Sequence, residues 1–339
     1  MTHLKTKEII DTDLLDHPAV KAWQELQPNS FEPTQIEILS QKSKGSVYKL
    51  HDLESKTSGV IAKRSKSEKA MIERIIYEEF FPNLNLPVPN YYGFLKEQDE
   101  IYWWLFLEDV GNQRLIPTIA DHRAKASQWF GELNAVAEIS KLKSDLPNRG
   151  AEYYRQYLHS CREMIPRIQI RYSPDINHKE IFQNILGMCE YLEIRWNKIE
   201  NFCSQFPRTV VHGDCQVKNV HIKLNQNELA LFPFDWASAG WGLPATDLGV
   251  LGLPYKDLPH TVPDYETYLN IVKEKWPKFD LHAVKQLANL GQLFWSLKVI
   301  CKSIPDFNHR ETYLDGLLYN YNIYASVLNA TIQTATWIN

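Results

Sequence analysis

Apolar and polar positions alternate over four short stretches between about Gln35 and Leu107: QIEILSQ, GSVYKLHDL, SGVIAKR and IYWWLFLE. Runs of that length and period read as β-strands, and Lys56, Thr57, Ser58 and Gly59 supply a turn between two of them. One helix interrupts the strands; it is expected to open with Ser65 and Glu68 in capping-box spacing and to continue through KAMIERIIYEEFF. After about residue 112 the apolar period lengthens to three or four, as in HRAKASQWFGELNAVAEI, NHKEIFQNILGMCEYLEIRWNKIENF, LHAVKQLANLGQLFWSLKVICKSI and TYLDGLLYNYNIYASVLNATI. The pattern predicts an α+β chain of two lobes: a small β-rich one over residues 1–110, with its core at 35–107, and a larger helical one over 111–339. The short helical candidate HPAVKAWQEL within the first 34 residues carries no sign of where it packs.

One island breaks the helical half. RTVVHGDCQVKN is followed by two short apolar runs, Val220 to Leu224 and Leu229 to Phe234, around the turn-forming NQNE. A hairpin of these runs brings Asn219 opposite Asp235, with Asp214 only five residues upstream. Three oxygen-bearing side chains then converge at one end of a hairpin, which suits a hard cation such as magnesium carrying phosphates.

Composition narrows the classes. With 339 residues, 44% hydrophobic and 23% charged, the chain carries enough apolar surface to fold, so disorder is excluded as its main state. A net charge of −4 provides no bulk positive field for nucleic acid. The longest purely apolar stretch, Ile101 to Leu107, is too short for a membrane span, and MTHLKTKEII shows no secretion signal, so a cytoplasmic protein is expected. Cys161, Cys189, Cys203, Cys215 and Cys301 are widely spaced without a CxxC pair and read as reduced, mostly core thiols.

Phosphoryl transfer needs a group that orients and accepts the proton of the attacking hydroxyl, oxygen ligands for a metal, and a cation for the phosphates. Asp214 suits the first role, and Asn219 and Asp235 suit the second. Lys63, ending the β run VIAK just before the helix, suits the third. On a helical wheel Ile72, Ile75, Ile76 and Phe80 define an inward arc that contains both Glu73 and Glu79. A carboxylate there is costly unless paired, so one of the two is expected to hold the lysine.

These residues resemble a known family. HGDCQVKN at 212–219, FDW at 234–236 and DLG at 247–249 are similar to the aminoglycoside phosphotransferase and choline kinase family, whose fold is that of a two-lobed protein kinase. ERIIY at 73–77 followed by PVP at 87–89 is similar to that family's glutamate helix and next loop, which favours Glu73 over Glu79. FLED at 106–109 is like its adenine hinge, with Glu108 and Val110 as the nucleotide-contacting positions. The resemblance spans roughly Ile36 to Gly249. It implies ATP, with GTP not excluded, and Mg²⁺ as cofactors, Asp214 as catalytic base, Asn219 and Asp235 as metal ligands, Lys63 on the phosphates and Glu73 as its anchor. His212 would brace the loop and Asp247 support it. Two features depart from the family: SQKSKGSV at 40–47 has a single glycine, leaving the backbone amides of Ser43, Gly45 and Ser46 to close over phosphate, and the loop interior Cys215 to Lys218 lacks a histidine.

The expected activity is phosphate transfer to a hydroxyl of a small molecule, with no nucleic-acid or membrane partner. A catalytically silent nucleotide-binding protein is the alternative. A protein kinase is disfavoured by the HGD loop and by the absence of an APE-like segment after DLG. Between Gly150 and Arg208, where the acceptor is expected to bind, acidic and basic residues nearly balance, which gives a polycationic antibiotic little support. Arg162, Arg167 and Arg171 are candidates for an anionic acceptor, and Tyr153, Tyr154 and Tyr157 for a quaternary ammonium, although core packing is the simpler reading of the tyrosines. Core packing is also the reading for Trp236, Trp241 and Cys215.

Overall fold

The computed structural model describes residues 8–43, 45–52, 59–136, 145–172, 176–225, 228–303 and 314–338. Lys44 and the proposed turn residues Lys56, Thr57 and Ser58 lie outside them. The chain divides into two compact units. The first runs up to Leu115 and takes up Lys218–Ser238; the second comprises Ile116–Val217 and Ala239–Asn339.

The first unit is built on an antiparallel sheet of β1 (Glu8–Ile10), β2 (Gln35–Lys42), β3 (Gly45–His51), β4 (Val60–Lys66), β5 (Tyr91–Lys96) and β6 (Tyr102–Glu108), in the order β1-β2-β3-β4-β6-β5. Helix α1 (Pro18–Leu26) answers where the early segment goes. His17 Nδ1 accepts from the Ala19 amide at 3.2 Å and Pro18 occupies the first turn, which starts the helix. Its apolar stripe, Ala19, Val20, Ala22 and Trp23, packs on Tyr48, Leu50, Ala62, Trp104 and Phe106 of the sheet. Side chains alternate across a strand, so Lys63, next to Ala62, lies on the opposite face. There it meets α2 (Ser67–Ile75), which packs on β4 and β6. Covered on both faces, β6 has five successive buried residues, which is why YWWLFL reads as one unbroken apolar run.

Helix α2 differs from expectation in two respects. Ser65 belongs to β4 and is buried, so the helix starts at Ser67 with no side-chain cap. The capping-box reading fails because the strand outlasts its β-type sequence. Beyond Ile75 the backbone widens into a π-helical turn over Ile76–Phe80. That turn rotates later residues off the ideal wheel, leaving Glu79 partly exposed while Glu73 is fully buried.

Also in this unit, β8 (Val220–Asn225) and β9 (Glu228–Pro233) form the expected hairpin with Val220 paired to Pro233. Asn219 therefore stands opposite Phe234, whose amide donates to its carbonyl at 3.0 Å, and not opposite Asp235. The offset of one residue follows from the register, which is set at the turn end by the Asn225–Glu228 pair; Asp235, one residue past the position opposite Asn219, adopts a left-handed φ of 64°.

The second unit is helical: α3 (Ala120–Val136), α4 (Ala151–Tyr172), α5 (Ile176–Ile194), α6 (Trp196–Cys203), α7 (Thr246–Leu251), α8 (Tyr265–Lys275), α9 (Leu281–Ser303) and α10 (Leu314–Thr334), with a two-stranded pair of β7 (Thr209–Val211) and β10 (Gly240–Gly242). Helix α9 is apolar on nearly every side and packs against α4, α7, α8 and α10, as a central buried helix must. Buried Asn134 of α3 ties the surrounding elements. It donates to the Val210 carbonyl at 3.1 Å and accepts from the Tyr268 hydroxyl at 2.7 Å and the Ala245 amide.

Candidate active site

The first unit gathers three predicted residues into one charged cluster. Lys63 Nζ donates to Glu73 Oε1 at 2.8 Å and to Asp235 Oδ1 at 2.5 Å. The lysine comes from a sheet strand, the glutamate from α2 and the aspartate from the turn after β9. Burial opposes the lysine's charge, but Asp235 and then Glu73 outweigh it and hold the ammonium above its ordinary range. Burial pushes Glu73 upward, and Lys63 and the Trp236 amide work against that rise. Asp235 keeps about 40% of its side chain exposed, so it alone of the three reaches solvent substantially. Asn219, 5% exposed, stands at the base of the hairpin that leads to Asp235.

The other nucleotide candidates are placed less uniformly. Ser43 sits at the exposed turn between β2 and β3, while Gly45 and Ser46 are already strand residues, paired to Lys42 and Gln41. A side chain at Gly45 would put its Cβ 2.6 Å from the Arg64 carbonyl, which explains the glycine by strand packing. The Glu108 amide donates to the Asn90 carbonyl at 2.8 Å and the Asp109 amide to that of Gly59, so both are committed within the unit. Val110 follows, 8% exposed. A lysine the sequence reading passed over, Lys49, pairs with Asp109 at 2.6 Å beside this segment.

In the second unit the HGD segment is fixed by its backbone. Buried Asp247, at the start of α7, accepts the His212 amide at 2.7 Å and the Gly213 amide at 3.1 Å. The Asp214 amide donates to His212 Nδ1 at 3.2 Å. His212 is thus engaged in loop structure, as expected, with Asp247 below it. Cys215 is wholly buried, and burial raises its thiol well above the ordinary range, which is the behaviour of a packing residue. Trp236, in the first unit, is likewise buried, edge-on to Phe81, and Trp241 is buried in the second. Tyr154 stacks on Phe294, whereas Tyr153 and Tyr157 share a hydroxyl contact of 2.7 Å. Arg162 pairs with Glu193 and Arg167 with Glu163; the side chain of Arg171 is outside the described ones.

Lys298 was not foreseen. It projects from α9, is 3% exposed, and donates to the Gly213 carbonyl at 2.6 Å. Burial, with help from Lys302, pulls its ammonium down to about 7 against the opposing pull of Asp214. Unfolded lysine holds its proton up to about 10.5, so between about pH 7 and 10.5 the unfolded chain binds the extra proton and stability rises with pH, by roughly 5 kcal/mol across the window. Urea unfolding of wild type and K298M at about pH 7 and about pH 10 checks this: wild type should gain on the variant as pH rises. A pH-independent difference would contradict the burial cost.

A sheet-bearing unit with a strand lysine anchored by a helix glutamate, followed by helices and an HGD loop, is the fold of the protein-kinase-like small-molecule phosphotransferases. Solved structures sharing it include a mutant of aminoglycoside 2′-phosphotransferase-IIIa in complex with GDP (12% identity, TM-score 0.64, 93% of this chain and 98% of that one). Spectinomycin phosphotransferase in complex with ADP and spectinomycin is similar (11%, 0.58, 89% and 94%). So is choline kinase from Cryptosporidium parvum Iowa II (14%, 0.56, 88% and 90%). The chain belongs to the Phosphotransferase enzyme family, whose sequence profile matches residues 37–282. A search of curated proteins gives no match. Among the described residues no helix is long and apolar enough to cross a membrane.

Proposed function

We propose that this protein is a nucleotide- and magnesium-dependent kinase that transfers the γ-phosphoryl group of ATP, or of GTP, to a hydroxyl of a small molecule in the cytoplasm. The observation that carries the reading is the Lys63 ammonium joined to both Glu73 and Asp235. Residues 1–110 are read as the nucleotide-binding lobe and 111–339 as the catalytic and acceptor-binding lobe. Lys63 binds the α- and β-phosphates, and Glu73 sets its position. The Val110 backbone, next to the committed amides of Glu108 and Asp109, holds the base, and Ser43 with the start of β3 at Gly45 and Ser46 lies over the phosphates.

Magnesium fits Asn219 and Asp235 by the chemistry of the donors. Among the described residues no group of three His, Cys, Asp or Glu is arranged to hold a metal, and magnesium at nucleotide sites takes only one or two protein oxygens beside phosphate and water. Bound there, it would neutralise charge on the β- and γ-phosphates. Asp214 orients the acceptor hydroxyl and takes its proton, its backbone having been fixed in advance by Asp247 and His212. Catalysis of this type is mostly positioning and electrostatics, for which buried, mutually held side chains are suited.

The near balance of charge on α4 to α6 favours a neutral or weakly charged acceptor over a polycationic one. An acceptor panel of aminoglycosides, choline, amino alcohols and sugars, with ATP and GTP as donors, tests the reading by nucleoside diphosphate release. Turnover with an amino alcohol or sugar is the expected result. Nucleotide binding without turnover of any acceptor would favour a silent nucleotide-binding protein.

A further inference from the structure

Lys298 has no part in the chemistry just proposed, yet its surroundings give it a definite task. A nearly unexposed ammonium is expensive to keep, and it lies 85 residues along the chain from the group it bonds, the Gly213 carbonyl. Around it stand the carboxylates of Asp214 and Asp247, the cations of Arg149 and Lys302, and the ring of Trp295 at 5.0 Å. The peptide it holds is the one joining Gly213 to Asp214.

Gly213 has φ 69°, a left-handed conformation in which glycine is free of strain. The same freedom makes the following peptide the easiest in the loop to turn over, because glycine tolerates both hands of the map almost equally. Its two ends are held from opposite sides: the carbonyl by Lys298 Nζ at 2.6 Å, and the Asp214 N–H by His212 Nδ1 at 3.2 Å. Asp247 holds the amides of His212 and Gly213, which come before this peptide. Without the lysine, the Gly213 carbonyl loses this anchor, and a change in the ψ angle of Gly213, which glycine tolerates, leaves the two bonds to Asp247 intact while carrying the Asp214 Cα and its side chain to a new position.

We infer that Lys298 is a positioning residue for phosphoryl transfer, locking the Gly213–Asp214 peptide in the orientation that presents the Asp214 carboxylate to the acceptor hydroxyl. This rests on the reading of Asp214 as the base. The lysine acts through a backbone carbonyl, and a protonated or a neutral amine can donate to it. Nucleotide affinity belongs to Lys63, Glu73 and Asp235 and is not set by Lys298.

The test is a double-mutant cycle of K298M and D214N, read by ATP hydrolysis with water as acceptor and by ADP binding. K298M should lower kcat by about tenfold to a hundredfold, the scale of a misplaced catalytic group, with ADP affinity unchanged within about twofold. In the D214N background K298M should add almost nothing. An unchanged kcat in K298M, or the same factor lost with and without Asp214, would overturn the assignment; wild-type activity in D214N would instead overturn the reading of Asp214. Should K298M not fold, side-chain NMR of lysine-labelled wild type and D214N decides. One lysine should titrate far below the others, and its midpoint should fall further in D214N. The same midpoint in both proteins would sever the link.

Discussion

The D214N variant is expected to lose about 10²- to 10⁴-fold in kcat, the range that a positioned general base supplies, while binding nucleotide within about twofold of wild type. The loss should be clean because the substitution conserves volume and leaves the loop intact. Four of the bonds that shape the loop use the amides of His212, Gly213 and Asp214, the Gly213 carbonyl and the carboxylate of Asp247, and these four do not involve the Asp214 side chain. Rapid-quench measurement of phosphate transfer, alongside calorimetric titration with ADP, separates the two quantities. A variant with normal turnover would remove Asp214 from the mechanism, and one with equal losses in binding and turnover would make it a structural residue.

The second large effect is expected at Lys63. In K63M the fully buried Glu73 loses its cation and keeps the Trp236 amide as its remaining favourable partner. Removing one member of a buried ion pair costs about 3–5 kcal/mol, most of it the penalty of the charge left behind. K63M should therefore unfold at markedly lower urea concentration. The double variant K63M/E73Q, with no buried charge to strand, should recover most of that stability and still fail to turn over nucleotide. Asp235 contributes little to this cost because its partly exposed carboxylate can rehydrate. If the single and double variants were equally unstable, the packing of the lysine stem, and not the charge pair, would be what matters at this position.

What the sequence disclosed, and what it withheld, follows from the range over which each signal acts. The strand alternation around VIAK and the apolar arc of α2 are local, and they were enough to expect Lys63 to be held by Glu73 or Glu79, with the family resemblance of ERIIY favouring Glu73, the residue it meets. The arc could not separate Glu73 from Glu79, because a π-helical turn after Ile75 has no signature in hydrophobic period. The hairpin was legible from its two runs, but its register hinged on which residues pair at the turn, Asn225 with Glu228, and an Asp235 at positive φ is not readable from alternation. HGD and DLG are separated by thirty-odd residues, so no local pattern links them; the family resemblance implied a supporting role for Asp247, which accepts the amides of His212 and Gly213. Lys298 was invisible because α9 reads as an apolar helix. A lysine on such a helix is ordinarily one that snorkels to solvent, and only tertiary packing shows that this one turns inward. Asn134 was missed for the same reason.

The most direct measurement is mass spectrometry of a hydroxyl-metabolite panel after incubation with the wild-type chain, Mg²⁺ and ATP or GTP. A small-molecule kinase should add one phosphoryl group to at least one acceptor, in step with nucleoside diphosphate formation, and D214N should abolish that product. Diphosphate formation without a phosphorylated acceptor, or the same product from D214N, would contradict it.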